Sequence, residues 1–261
     1  MKSTHPSGAG ALAPWHHFGT HSGEWESLMI ITKIEPQQRK PHRKSIYLNG
    51  EFAFGIHDEV LLKFGLRRGD HLTPEKVVEI TTYEEFRSGR EKALKLLSRK
   101  PRTERELRTK LLRTGYSEAT CERVLAHLRE ARLIDDLDYA RRYAHESMTR
   151  KPMGERMLKQ RLRQKGIPED AIQTVLREMF SSESEEFRYA LELARKRIER
   201  HPDLSRHSLH KRSSDQWQEE QTGVSQHKKR IADYLVRRGF DWDTVHRVLE
   251  EIFNARPIQN Q

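Results

Sequence analysis

One pattern constrains this chain more than any other feature, and it occurs three times. The first copy reads Leu107-x3-Leu111-x3-Gly115-Tyr116, followed by Cys121, Val124, Leu125 and Leu128. The second reads Leu158-x3-Leu162-x3-Gly166-Ile167, followed by Ile172, Val175, Leu176 and Met179. The third reads Ile231-x3-Leu235-x3-Gly239-Phe240, followed by Val245, Val248, Leu249 and Ile252. Counted from each glycine, apolar residues fall at −8, −4, +1, +6, +9, +10 and +13 in every copy. Agreement at so many positions marks an array of helical repeats.

The spacing gives the unit a physical form. Apolar residues four apart, with Lys and Arg between them, make one buried stripe on a helix. The glycine after the last basic turn suits a left-handed C′ position, where a Cβ would be penalised. The large apolar residue that follows supplies the contact that closes such a cap. Polar N-cap regions come next at Ser117, Pro168-Glu169-Asp170 and Asp241, and a second amphipathic helix carries the stripe from +6 to +13. A further helix feeds into each copy. The first runs through Ala93, Leu94, Leu96 and Leu97. The second has Tyr139, Ala140, Tyr143 and Ala144 behind an N-cap at Asp135 or Asp136. The third has Phe187, Ala190, Leu191, Ala194 and Ile198. Thr103-x-x-Glu106 is a capping box in the first copy. The unit is therefore three helices, and stacking supplies core that one unit lacks.

The glycines are 51 residues apart and then 73. The 22 extra residues fall in a polar stretch near 201–224, rich in Ser, His, Gln, Arg and Glu, which is expected to be a mobile loop insertion. Residues 1–27 are rich in Gly, Ser, Pro and His without periodicity, and are expected to be disordered. Between these lies a small β-rich segment, 28–73. It opens with a strand near Leu28–Ile34 and a basic loop carrying Arg39, Lys40, Arg43 and Lys44. Asn49-Gly50, flanked by alternating apolar residues, predicts a hairpin because both turn positions need φ > 0. Ile46, Leu48, Phe52, Phe54 and Ile56 are expected to face one core. A short helix at Asp58–Phe64 follows, and Thr73-Pro74-Glu75 starts a long one. The fold class is thus mostly α: tandem three-helix repeats in three units (74–133, 134–182 and 183–256) behind a small domain containing a β-hairpin.

Charge bounds the partners. The 49 Lys and Arg against 39 Asp and Glu give a net charge of +10. Residues 91–180 hold 22 basic against 14 acidic residues, a net of +8. Mixed charge on helices often makes only a solvated face, but an excess of one sign favours a polyanion or a nucleic-acid complex as partner. One cysteine excludes an internal disulfide framework, and Cys121 on the apolar stripe reads as a small buried hydrophobe. No stretch approaches a membrane span and no signal-peptide core is evident, so the expected location is the cytoplasm.

Three stretches carry a family resemblance. They are Ala93-Leu94-x-Leu96-Leu97 with Arg102-Thr103-Glu104-x-Glu106-Leu107-x3-Leu111; Leu133-Ile134-Asp135-Asp136-x2-Tyr139-Ala140-x2-Tyr143; and Gly154-x-Arg156 with Lys165-Gly166-Ile167. The array resembles the RecX family of bacterial regulators of the RecA recombinase, strongly over about 75–180 and more weakly over 186–253. The segment 28–72 looks like the N-terminal β extension of some members. The resemblance implies a non-enzymatic modulator, needing no cofactor and no metal. It would bind RecA and its filament on single-stranded DNA, lie in the filament groove, and damp ATP hydrolysis, strand exchange and the co-protease activity behind the SOS response. A monomer with weak direct affinity for DNA is expected. In the central copy Arg141, Arg142, Arg156, Lys159 and Arg163 are the candidates for filament or phosphate contacts.

Catalytic signatures do not appear. There is no phosphate loop, no nucleophile elbow and no His-Glu-x-x-His. His5, His16, His17 and His21 lack Cys or carboxylates at ligand spacing, and His207-x2-His210 stands alone. Two other readings compete: a nucleic-acid-binding module independent of RecA, and a scaffold joining two proteins. The first predicts tight, steeply salt-dependent binding to DNA alone; the second predicts no effect of DNA on partner affinity.

Overall fold

A computed structural model describes residues 28–38, 40–201 and 217–254. The expected disorder of residues 1–27 and the histidines within it lie outside the described residues, as do Arg39 and the His207-x2-His210 pair. Backbone contacts divide the chain after Ile134 into two units.

The first unit opens with a four-stranded antiparallel sheet of order β3-β2-β1-β4. Its strands are β1 (Met29–Gln37), β2 (Lys40–Leu48), β3 (Glu51–His57) and β4 (His71–Leu72). Asn49 (φ 50°) and Gly50 (φ 91°) make the expected tight turn between β2 and β3. Asn49 Oδ1 accepts from Ile30 N at 2.9 Å, which stitches the turn to β1. Ile46, Leu48, Phe54 and Ile56 are buried, but Phe52 is 60% exposed, against expectation. The cause is a register shift: Ile46 pairs with Phe54, yet Tyr47 pairs with Phe52, so Ala53 is an extra residue in β3. A bulge of one residue reverses the facing of everything beyond it. Phe52 packs edge-on against Tyr47 instead, with ring centroids 5.9 Å apart.

The basic stretch after β1 is not a loop. Lys40–Lys44 lie within β2, and two of the cations turn to carboxylates. Arg43 meets Glu84 at 2.5 Å and donates to Gly55 O at 2.9 Å. Glu84, only 6% exposed, also accepts from His57 N at 2.9 Å. Lys44 reaches Asp58 at 3.2 Å. Burial demands such pairing, because a lone charge there would cost several kcal/mol.

Helix α1 (Asp58–Phe64) and the 24-residue α2 (Pro74–Leu97) close the sheet core. Thr73 caps α2 by accepting from Lys76 N, as expected. Helix α2 serves two cores. Val77 and Ile80 pack with the sheet residues, while Ala93, with Phe86, Leu96 and Leu97, packs against α3 (Glu104–Thr114) and α4 (Glu118–Glu130).

The second unit holds the other two repeats: α5 (Asp136–Arg150), α6 (Glu155–Lys165) and α7 (Glu169–Met179), then α8 (Glu183–Arg200), α9 (Trp217–Arg237) and α10 (Trp242–Asn254). Residues 217–224, expected within the loop insertion, are helical and belong to α9. Gln and Glu are good helix formers, so a helix can run on without an apolar stripe. The remainder of that insertion, 202–216, is outside the described residues.

All three repeats end their middle helix in the same way. Gly115, Gly166 and Gly239 have φ of 101°, 82° and 88°. Tyr116 N donates to Leu111 O, Ile167 N to Leu162 O and Phe240 N to Leu235 O, the six-to-one bond of a Schellman cap. The −4 and +1 positions of the repeat are therefore the apolar pair that accompanies this cap. Leu107, Leu111, Leu158, Leu162, Ile231 and Leu235 are all fully buried, as are Cys121, Ile172 and Val245. Burial pushes the Cys121 thiol up from its ordinary value, which keeps it un-ionised and unreactive.

Candidate partner-binding face

The five basic residues singled out in the central repeat fall on two helices, and four of them are held by carboxylates. On α5, Arg141 grips both oxygens of Glu178 on α7, at 2.9 and 2.7 Å. Its guanidinium holds the Glu178 carboxyl below the usual range. Arg142 pairs with Asp138 one turn earlier, at 2.6 Å. On α6, Lys159 and Arg163 converge on Glu169 at the start of α7, each at 2.9 Å. Hydrogen bonds from Arg163, Lys159 and Gln173 bring the Glu169 carboxyl down to about 2. Arg156 is exposed and has no ion-pair partner among the described residues.

Arg156, Lys159 and Arg163 are spaced i, i+3 and i+7, so they share one face of α6. Arg141 belongs to a different face of the repeat. Glu169 and Glu178, the two anchors on α7, are nine residues apart, or two and a half turns, and project from opposite sides of that helix. The structure thus brings three candidates together and separates the other two. These are exposed pairs, worth little to stability and readily exchanged for another anion.

A second constellation lies where the central and third repeats meet, and the repeat pattern gave no sign of it. Gly154, at the entry to α6, donates its N–H to Arg238 O at 3.0 Å. The two backbones touch: a Cβ on Gly154 would lie 2.3 Å from the Gly239 carbonyl carbon and oxygen. Arg238 is 7% exposed and donates to Lys151 O at 2.9 Å and Pro152 O at 2.5 Å, satisfying carbonyls of the α5–α6 connection. Helix α6 has no side-chain cap of its own. Glu186 of α8 supplies one, accepting from Glu155 N at 3.3 Å. Burial, with Asp241 and Glu155 alongside, pushes the Glu186 carboxyl up to about 7. Asp241 meanwhile caps α10, accepting from Thr244 N at 2.6 Å. One carboxyl pair thus links the starts of two helices in adjacent repeats. Only the doubled role of glycine, as helix end and as contact, could have hinted at this in the sequence.

Among the described residues no group of three or more His, Cys, Asp or Glu is placed to hold a metal ion. No helix among them is long and apolar enough to cross a membrane.

The architecture defines a class: tandem three-helix units, each sealed by a glycine cap, behind a small antiparallel sheet. Comparison with known proteins gives the family. Residues 29–73 match the regulatory protein RecX N-terminal domain, 90–128 the RecX first three-helix domain, and 135–176 the RecX second three-helix domain. The chain is 30% identical over 225 residues to the regulatory protein RecX of Clostridioides difficile, covering 86% of this chain and 96% of that one. It is 31% identical over 222 residues to that of Leuconostoc mesenteroides, covering 85% and 75%. A crystal structure of a regulatory protein RecX superposes with a TM-score of 0.61 at 28% identity, covering 86% of this chain and all of that one. The chain belongs to the RecX family of regulatory proteins.

Proposed function

We propose that this protein binds the RecA recombinase and its filament on single-stranded DNA, and there restrains ATP hydrolysis, strand exchange and co-protease activity. It acts without chemistry of its own, as a monomer, in the cytoplasm where RecA assembles. The observation that carries this reading is membership of the RecX family across both the sheet domain and the repeats. The face of α6 bearing Arg156, Lys159 and Arg163 supports it, as a basic surface whose intramolecular carboxylate can give way to acidic protein or phosphate.

The deciding experiment is a RecA ATPase assay on single-stranded DNA with this protein titrated in. A saturable fall in hydrolysis supports the reading; hydrolysis unaffected at saturating protein rejects it. The net charge of +10 favours a second reading, direct nucleic-acid binding without RecA. Affinity for bare DNA equal to that for the filament, with the same salt dependence, would establish that alternative.

A further inference from the structure

Four of the five candidate cations of the central repeat are held by carboxylates, which offset part of their charge. A different arrangement occurs in the first unit, where α1, α2 and α4 surround a cleft of about 330 Å³ lined by Lys63, Phe64, Glu79, Thr82, Tyr83 and Arg123. Here aromatic rings order the cations. Lys63 Nζ sits 3.5 Å from the centre of the Tyr83 ring. The Arg123 guanidinium lies 5.1 Å from the centre of Phe86, one turn along α2 from Tyr83. Phe64 meets Tyr83 edge-on at 5.7 Å, so the rings support one another.

A ring holds a cation through its quadrupole and leaves the net charge intact. Neither Lys63 nor Arg123 has an ion-pair partner among the described residues, and both are exposed. Glu79, the carboxylate in the cleft, is engaged by Lys76 at 2.8 Å. The cleft therefore offers two positioned, uncompensated positive charges, with the Thr82 and Tyr83 hydroxyls beside them. Positioned charge lowers the cost of ordering on binding. Cations tracking a backbone with aromatic rings among them are what single-stranded nucleic acid requires, and a cleft of this volume admits a nucleotide unit but not a stacked duplex.

We propose that this cleft is a binding site for single-stranded nucleic acid, with Lys63 and Arg123 contacting backbone phosphates and the Phe64 edge meeting a base. The choice of polyanion rests on the reading above, in which the protein works on a filament containing such a strand. The site itself is argued from different residues in a different unit.

The test uses the full chain and no recombinase, so its outcome does not depend on whether RecA is inhibited. Binding of a fluorescein-labelled oligothymidine is followed by anisotropy across a salt series. The Lys63→Glu, Arg123→Glu double variant is expected to weaken binding at least tenfold. Its salt slope should fall by roughly 1.4 units, as loss of two phosphate contacts to a single strand requires. The milder Lys63→Gln, Arg123→Gln variant should show a smaller loss in the same direction, with an unchanged circular dichroism melt. A matched reversal on α8, Arg188→Glu with Lys196→Glu, should cost less than threefold. Equal losses in the α8 control would overturn the proposal, since net charge alone would then explain the effect. So would unchanged binding in the double variant. Equal sensitivity of duplex DNA, or of polyglutamate, to the double reversal would replace the proposed ligand with another polyanion.

Discussion

Gly115 and Gly239 share a left-handed backbone but have different surroundings. A Cβ on Gly115 would meet nothing within 4 Å, whereas one on Gly239 would lie 2.5 Å from Met157 N and Cβ. Gly115→Ala should therefore cost only the backbone penalty, about 1 kcal/mol. Gly239→Ala should cost clearly more, and Gly154→Ala, which drives a methyl into main chain, should cost most. Urea unfolding of the three variants checks the order; equal losses would show that the contact between repeats is not formed in solution. The conformational need for glycine was legible from the repeat, since the residue after a basic helical turn is a natural C′. The contact was not, because spacing along one chain says nothing about which backbones cross. Glu186 provides a second test at this scale. Its carboxyl titrates near 4.5 in the unfolded chain and at about 7 in the folded one. The folded state binds the extra proton, so this contribution to stability is complete below pH 4.5 and lost as pH rises through 7. Glu186→Gln imitates the protonated form, and should flatten that pH dependence and raise the melting temperature at pH 8. A variant with the wild-type pH profile would show that the carboxyl pair does not titrate in this window.

The helices form as the apolar spacing requires, and their caps fall where the polar signals stood. Ser117 accepts from Thr120 N, Asp135 from Asp138 N, and Thr103 from Glu106 N. Leu111, Leu162 and Leu235 are each fully buried at the same point of their units. Replacing any one by Ala should destabilise the protein by about 2–5 kcal/mol, measured by chemical denaturation. A loss below about 1 kcal/mol at two of the three would mean that the copies do not share one core design. Legibility ended where an element answers to a neighbour outside its own repeat. The bulge at Ala53 turned Phe52 outward, and no periodicity within β3 signals an extra residue relative to β2. Arg43 looked like part of a solvated basic run, yet it is drawn inward by Glu84, forty-one residues away. Helix α2 begins at the expected cap, but its sequence does not announce that its first half completes the sheet core. The polar run from 217 onward could extend a helix as readily as a loop, because propensity alone leaves the two open.

At the scale of the chain, basic residues were the most visible feature and the least informative about contact. Reversing Arg156, Lys159 and Arg163 to Glu would set two new carboxylates against Glu169 and disturb the α6–α7 pairing itself. Arg156→Glu with Lys159→Ala and Arg163→Ala is the better probe. It should weaken inhibition of RecA at least tenfold, about 1.4 kcal/mol, with the melt little changed. Full inhibition by this variant at moderate salt would place the partner elsewhere. Truncation needs the same care. A chain beginning near Glu75 would strip the sheet from Val77 and Ile80, so loss of activity in it would report on folding and not on function. The backbone contact of Gly154 with Arg238 and Gly239 has a consequence for how such a protein can vary. The step from the second repeat to the third is set by main chain and by helix starts on α6, α8 and α10. Main chain packed on main chain leaves no side chain to exchange there, so the spacing between these two repeats cannot drift gradually as the sequence changes.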